Sequence, residues 1–195
     1  MLMAITPGGV ILVRILMADQ TVNVLFLCTG NSCRSIIAES LLNHLGEGRL
    51  AGFSAGSHTV GRVNPWAIRV LEKRGLPTEG LKSKSWDVFA AGNEPGAPVM
   101  DVIITVCDNA AGEVCPVWLG GPVSVHWGIP DPALFLDNNE EAGGNDEETE
   151  TPFLAAFERL ERRIRALLEL PLEALDGEEL KHRLNEIGAI ANDNA

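Results

Sequence analysis

Apolar residues come along this chain as short unbroken runs alternating with helical stripes, and that alternation predicts the fold before any single residue is weighed. Residues 22–27 (VNVLFL) are a β-rich apolar run of the length expected for a strand buried on both faces of a parallel sheet. From Arg34 onward, Ile37, Leu41, Leu42 and Leu45 take up helical spacing, and the pattern stops at Gly46. A second strand is expected around Phe53 and Ser54. Asn64 and Pro65 then supply an N-cap and a first-turn proline for a helix that buries Ala67, Ile68, Val70 and Leu71 and closes at Gly75. Residues 83–91 read as a short helix, residues 101–106 (DVIITV) as a third strand ending on Cys107, and residues 123–127 as a weaker fourth. Thr151-Pro152 opens a helix with the stripe Phe153, Phe157, Leu160, Ile164 and Leu167. Strands alternating with helices predict an α/β domain of three layers, α/β/α, around a four-stranded parallel sheet with right-handed crossovers.

That domain is expected over residues 20–170, with two flanks and an insertion outside its core. Residues 1–19 form an N-terminal extension whose short apolar stretch is cut by Arg14 and has no basic region ahead of it, which does not read as a secretion signal; a start at Met17 would remove most of it. No run of 18 apolar residues exists, so no membrane span is expected. Residues 137–150 (DNNEEAGGNDEETE) hold seven acidic residues and no basic one, which predicts a solvated or disordered insertion. Residues 171–195 are an acidic tail in which Leu175, Leu180, Leu184 and Ile187 could build one amphipathic helix.

Charge narrows the function classes. With 15 basic against 27 acidic residues and a net charge of −12, the chain lacks the Lys/Arg surface that a nucleic-acid binder needs to displace phosphate counterions. An anionic substrate must therefore be held by a local site. Four cysteines, Cys28, Cys33, Cys107 and Cys115, are too few for the disulfide scaffold of a small secreted domain and point to a reducing compartment.

The local site is suggested by residues 25–39 (LFLCTGNSCRSIIAE). In an open parallel sheet the ligand crevice lies beyond the carboxyl ends of the strands, and a loop there that feeds a helix aims several backbone N–H groups at one spot. Cys28 ends the first strand; Thr29, Gly30, Asn31, Ser32, Cys33, Arg34 and Ser35 form the loop and the helix start. Gly30 and Asn31 tolerate the backbone angles of an oxyanion cradle, and Arg34 adds a two-pronged donor. A thiol in such a field is expected to ionise readily, since helix N-termini and guanidinium groups lower a cysteine pKa to roughly 3.5–7.5. Asp131, in GIPDPA after the fourth strand, can reach the same crevice from the side or simply cap its own turn. Cys107 should end a strand beside the first one, and Cys115 follows after the small residues Ala110, Ala111 and Gly112.

A cysteine, five residues, an arginine and then Ser35, with SAGSH and DPA further on, resemble the low-molecular-weight tyrosine phosphatase fold over roughly residues 22–168. The resemblance implies that Asn31 braces the loop, Ser35 hydrogen-bonds the thiolate, Cys33 is passive and Asp131 is the general acid. Those phosphatases usually place a tyrosine after the aspartate and proline; here Ala133 follows, and the chain has no tyrosine. Cys107 and Cys115, which a phosphatase does not use, and the segment HWGIPDPA resemble instead the thioredoxin-coupled arsenate reductases of the same fold. That resemblance implies attack of Cys28 on arsenate, resolution by Cys107, and transfer of the disulfide to Cys115 for thioredoxin, glutaredoxin or a small thiol to reduce. It implies a cytoplasmic monomer without nucleic-acid or membrane partner and without tightly bound cofactor, and a potassium site on Asn31, Glu39, Ser54 and Asp87. Two other readings stay open. Hydrolysis of phosphate esters needs only Cys28, Arg34 and Asp131. A cysteine-based metal or arsenite binding module is opposed by C-x4-C and C-x7-C, which are not zinc spacings. His126 beside Trp127 reads as a packed or loop-bracing residue, and His44, His58 and His182 carry no chemistry.

Overall fold

In a computed structural model that describes residues 21–90, 96–113, 115–134 and 146–190, β1 (Val22–Cys28) is buried at every position. Its unbroken apolar run fits its place: β1 lies inside a four-stranded sheet of order β2-β1-β3-β4, flanked by β2 (Leu50–Gly56) and β3 (Val102–Thr105), with β4 (Val123–His126) at the far edge. All pairings are parallel, and Cys28 stands opposite Gly56, Leu27 opposite Thr105, and Thr105 opposite His126. The carboxyl ends of all four strands therefore gather at one rim. Asn23 fastens β1 to the approach of β3, its amide N–H donating to Asp101 (2.8 Å) and its side chain to the Val99 carbonyl (2.8 Å).

The two faces of the sheet are covered unequally. Val22, Val24, Phe26, Val102, Ile104, Val123 and Val125 share one apolar cluster with α1 (Arg34–Leu45), α2 (Pro65–Lys73), α4 (Asp146–Leu168) and α5 (Gly177–Gly188). Leu25, Leu27, Ala55 and Ile103 form a second cluster with Met100, and Phe53, Trp86, Phe89 and Trp118 pack against it. The third layer thus includes the short helix expected over 83–91, which is a single 3-10 turn, Trp86–Val88. At the start of α2, Asn64 accepts a hydrogen bond from the Trp66 N–H and Pro65 takes the first position, as the sequence predicts.

Two boundaries need correction. Helix α4 starts at Asp146, ahead of Pro152, which lies inside it. Proline removes one amide and crowds the carbonyl four residues back, so it reads as a start; here it sits near the helix end, where few ladder bonds precede it, and the Thr151 hydroxyl donates to the Glu147 carbonyl (2.7 Å). Residues 146–150 are consequently helix and not solvated insertion, and Glu150 is buried with Lys73 Nζ 2.6 Å from its carboxylate. Residues 137–145 and the extension 1–19 lie outside the described residues.

The tail is the second correction. Expected outside the core, it folds as a 3-10 turn, Leu172–Ala174, and α5, which is capped by Asp176 accepting from Glu179 N–H (2.9 Å). Leu180, Leu184 and Ile187 are buried against β4, and the Trp127 indole donates to the Leu184 carbonyl (2.9 Å). Gly188 is required by this approach: a Cβ there would stand 2.7 Å from Trp127 Cδ1 and 2.9 Å from the His126 carbonyl. Among the described residues no helix is long and apolar enough to cross a membrane.

Candidate active site

Every sequence-predicted loop residue lies at the rim where β1 ends. The loop between β1 and α1 has its carbonyls tied outward: Thr29 accepts from His58 N–H (3.0 Å), Gly30 from Val60 N–H (3.1 Å) and Ser32 from Asn64 N–H (2.8 Å). In a trans peptide the next N–H points the opposite way, so these bonds turn the amides of Gly30, Asn31 and Cys33 toward the loop centre. The landmark SAGSH supplies the first of these braces, through His58, and the segment after it supplies the other two. Gly56 within SAGSH is required by contact, since a Cβ there would meet the Thr29 carbonyl at 2.5 Å and Asn31 N at 2.9 Å.

Asn31 holds the left-handed turn of the loop at φ 45, a conformation an asparagine tolerates better than most residues. Its side chain is fully used: Nδ2 donates to Ser35 Oγ and to Ser54 Oγ (both 2.9 Å), and Oδ1 accepts from the Lys84 N–H (2.6 Å). Ser35 Oγ lies 2.9 Å from Cys28 Sγ. With one lone pair of Ser35 occupied by Asn31, its hydrogen is free for the sulfur.

Cys28 is buried. Burial pushes its thiol above the ordinary value; hydrogen bonds from the Ser35 side chain and backbone pull it down, the neighbouring Cys107 pushes it up, and Arg34 pulls it down. The readily ionised thiol expected from the sequence is thus not what the free site shows. The reason is burial, which outweighs the Ser35 hydrogen bonds; the Arg34 guanidinium, which also favours the thiolate, turns to Asp131 Oδ2 (2.6 Å) and the Ile129 carbonyl (3.0 Å). Cys33 is buried too and is held well above its ordinary value, first by desolvation and then by Cys28 and Asp131, which suits a passive thiol.

Asp131 does reach the crevice from the side. One carboxylate oxygen takes Arg34 and the other accepts from the Ala133 N–H (3.0 Å), so the catalytic and turn-capping readings describe two oxygens of one group. Cys107 is brought to the same place: its Sγ lies 3.5 Å from Thr29 Oγ1 and caps the one-turn helix α3 (Asp108–Ala111), accepting from Ala110 N–H (3.4 Å). Cys115 is exposed, and burial of part of its side chain with Glu113 nearby raises its thiol from the ordinary value. His126 braces, its two ring nitrogens facing Thr105 Oγ1 (2.8 Å) and Asp108 (3.1 Å).

Three of the four residues expected to hold potassium, Asn31, Glu39 and Ser54, are joined by hydrogen bonds. The fourth, Asp87, accepts from the Ser85 hydroxyl (2.9 Å). The place beside Glu39 is taken by the ammonium of Lys84, 3.2 and 3.3 Å from the two carboxylate oxygens. An inorganic cation beside Glu39 would meet the like charge of that ammonium, so these residues, with Lys84 among them, do not fit the ion. Lys84 was not singled out in the sequence because it lies in irregular chain more than forty residues from its partner Glu39, with no local motif. No group of three or more His, Cys, Asp or Glu side chains gathers for a metal among the described residues.

Comparison with known proteins finds chains similar to this one. An arsenate reductase of Halalkalibacterium halodurans is 33% identical over 147 residues, spanning 75% of this chain and 94% of that one. The glutaredoxin arsenate reductase of Synechocystis is 33% identical over 109 residues, 56% of this chain and 77% of its own. The crystal structure of an arsenate reductase from Archaeoglobus fulgidus superposes with a TM-score of 0.51 at 27% identity, covering 73% of this chain and 98% of that one. Residues 23–183 match the family described as low molecular weight phosphotyrosine protein phosphatase. On that match, which takes in the loop, Asp131 and the strand-end thiols together, the chain belongs to the low molecular weight phosphotyrosine protein phosphatase family.

Proposed function

We propose that the chain reduces arsenate to arsenite through a thiol adduct and a relay of disulfides. The observation that carries this reading is Cys107 seated against the loop of Cys28, with an exposed Cys115 eight residues further on. The arsenate reductases to which the chain is similar support it. Arsenate lies on the inward amides, and Arg34 exchanges Asp131 and the Ile129 carbonyl for substrate oxygens. Freed of Arg34, the Asp131 carboxylate takes the proton that the Cys28 thiol loses and passes it to the departing oxygen, which leaves as water while the Cys28 sulfur forms a sulfur–arsenic bond. The Cys107 thiolate attacks Cys28 Sγ. The sulfur–sulfur bond forms, the sulfur–arsenic bond breaks with its electron pair on arsenic, and As(V) becomes As(III). Cys115 attacks Cys107 in turn, regenerating the Cys28 thiolate and leaving a disulfide at the surface for an external dithiol of the thioredoxin or glutaredoxin class. A disulfide limits Cα separation to about 7 Å, so the segment from Cys107 to Cys115 moves during the cycle. We place this work in the cytoplasm, where such a dithiol is maintained.

Arsenate-dependent NADPH consumption with thioredoxin and its reductase, run beside hydrolysis of an aryl phosphate, tests the reading. Cys107→Ser should halt arsenite release and leave ester hydrolysis largely intact, because water completes that reaction after the first step. Cys115→Ser should complete one turnover and stall with Cys28 and Cys107 joined, as read by mass mapping. Sustained reduction by the Cys107 variant, or ester hydrolysis with no arsenate reduction by the intact chain, overturns it.

A further inference from the structure

We propose that the Lys84 ammonium serves as a tethered monovalent cation behind the Cys28 loop, so that the loop keeps its working geometry without inorganic potassium. The ammonium has three hydrogens and three oxygens to receive them: Glu39 Oε1 at 3.3 Å, Glu39 Oε2 at 3.2 Å and the Lys82 carbonyl at 3.3 Å. Both side chains are largely withdrawn from water, 23% exposed for Lys84 and 14% for Glu39. A carboxylate so placed needs a compensating charge.

What the charge holds is a hydrogen-bond chain with only one polarity. Glu39 as a carboxylate can only accept, so Ser54 donates to it. Ser54 then accepts from Asn31 Nδ2, whose second hydrogen goes to Ser35, and Ser35 is left to donate to Cys28 Sγ. Lys84 enters this chain twice, since its backbone N–H also fixes Asn31 Oδ1 at 2.6 Å and thereby the orientation of the amide. With the Lys84 ammonium on both of its oxygens, Glu39 is held facing Ser54 as an acceptor, and every later bond keeps its direction. Lys84 is a positioning residue: it acts on the sulfur through four other side chains.

The test reads alkylation of Cys28 by iodoacetamide at fixed pH, by peptide mass mapping, in tetramethylammonium and in potassium chloride of equal ionic strength. It involves no arsenate and so stands apart from the proposed reaction. The intact chain should react at one rate, and melt at one temperature, in both salts. Lys84→Ala should react about tenfold more slowly in tetramethylammonium and recover to within about twofold of the intact rate in potassium or ammonium. A merely structural lysine would give no cation-selective recovery. A potassium-dependent rate or melting temperature in the intact chain overturns the proposal. So does a variant that matches the intact rate in tetramethylammonium, one that stays slow in every salt, or one that folds in none of them.

Discussion

Cys28 is a thiol held between opposing influences, and Ser35 is the strongest of those that favour its thiolate. Ser35→Ala removes a hydrogen bond to charged sulfur, of a kind worth about 1.5–3 kcal/mol, so alkylation of Cys28 at neutral pH should slow about 10- to 100-fold. Because burial favours the neutral thiol, the rate in the free chain should keep climbing beyond about pH 8.5, the ordinary thiol range, in place of levelling off near neutrality. A plateau below pH 7 would show that the loop amides outweigh burial. At this scale the sequence was readable where chemistry depends on spacing: Cys28, Asn31, Arg34, Ser35 and Asp131 all arrive at the crevice. It was unreadable where chemistry depends on orientation. Arg34 turns to Asp131, and Lys84 replaces an expected ion, through contacts between segments far apart in the chain, which no local pattern encodes.

Helices and strands were readable from period and punctuation, because a strand buried on both faces and a helix with one wet side leave different apolar rhythms. Asn64-Pro65 before α2 marked its start correctly. The same signal misled at Thr151-Pro152, since the helix accepts the loss of one ladder bond at Pro152 and runs back past it, and Glu150 within that turn pairs with Lys73. The stripe of α5 was readable from Leu180, Leu184 and Ile187, but its place in the core, against β4 and α4, was not. If α5 is core, Leu184→Ala should cost about 2–5 kcal/mol in a denaturant titration, as deletion of a fully buried leucine does. A cost below about 0.5 kcal/mol would return the tail to the surface.

At the scale of the whole molecule the sheet is assembled out of order. β1 lies between β2 and β3, yet β3 begins 80 residues after β1 does. During synthesis β1 can pair with β2 early, but its other edge, an apolar VNVLFLC backbone, waits for residues not yet made. At 5–20 residues per second that interval is about 4–16 s, long enough for chains on neighbouring ribosomes to meet or for a chaperone to bind. The nucleophile rides on that waiting edge, so its protection reports completion of the sheet. On ribosomes stalled with residues 1–95 exposed, Cys28 should be alkylated freely, and with residues 1–190 exposed it should be shielded. Equal labelling at both lengths would mean that β1 finds its shelter before β3 is born.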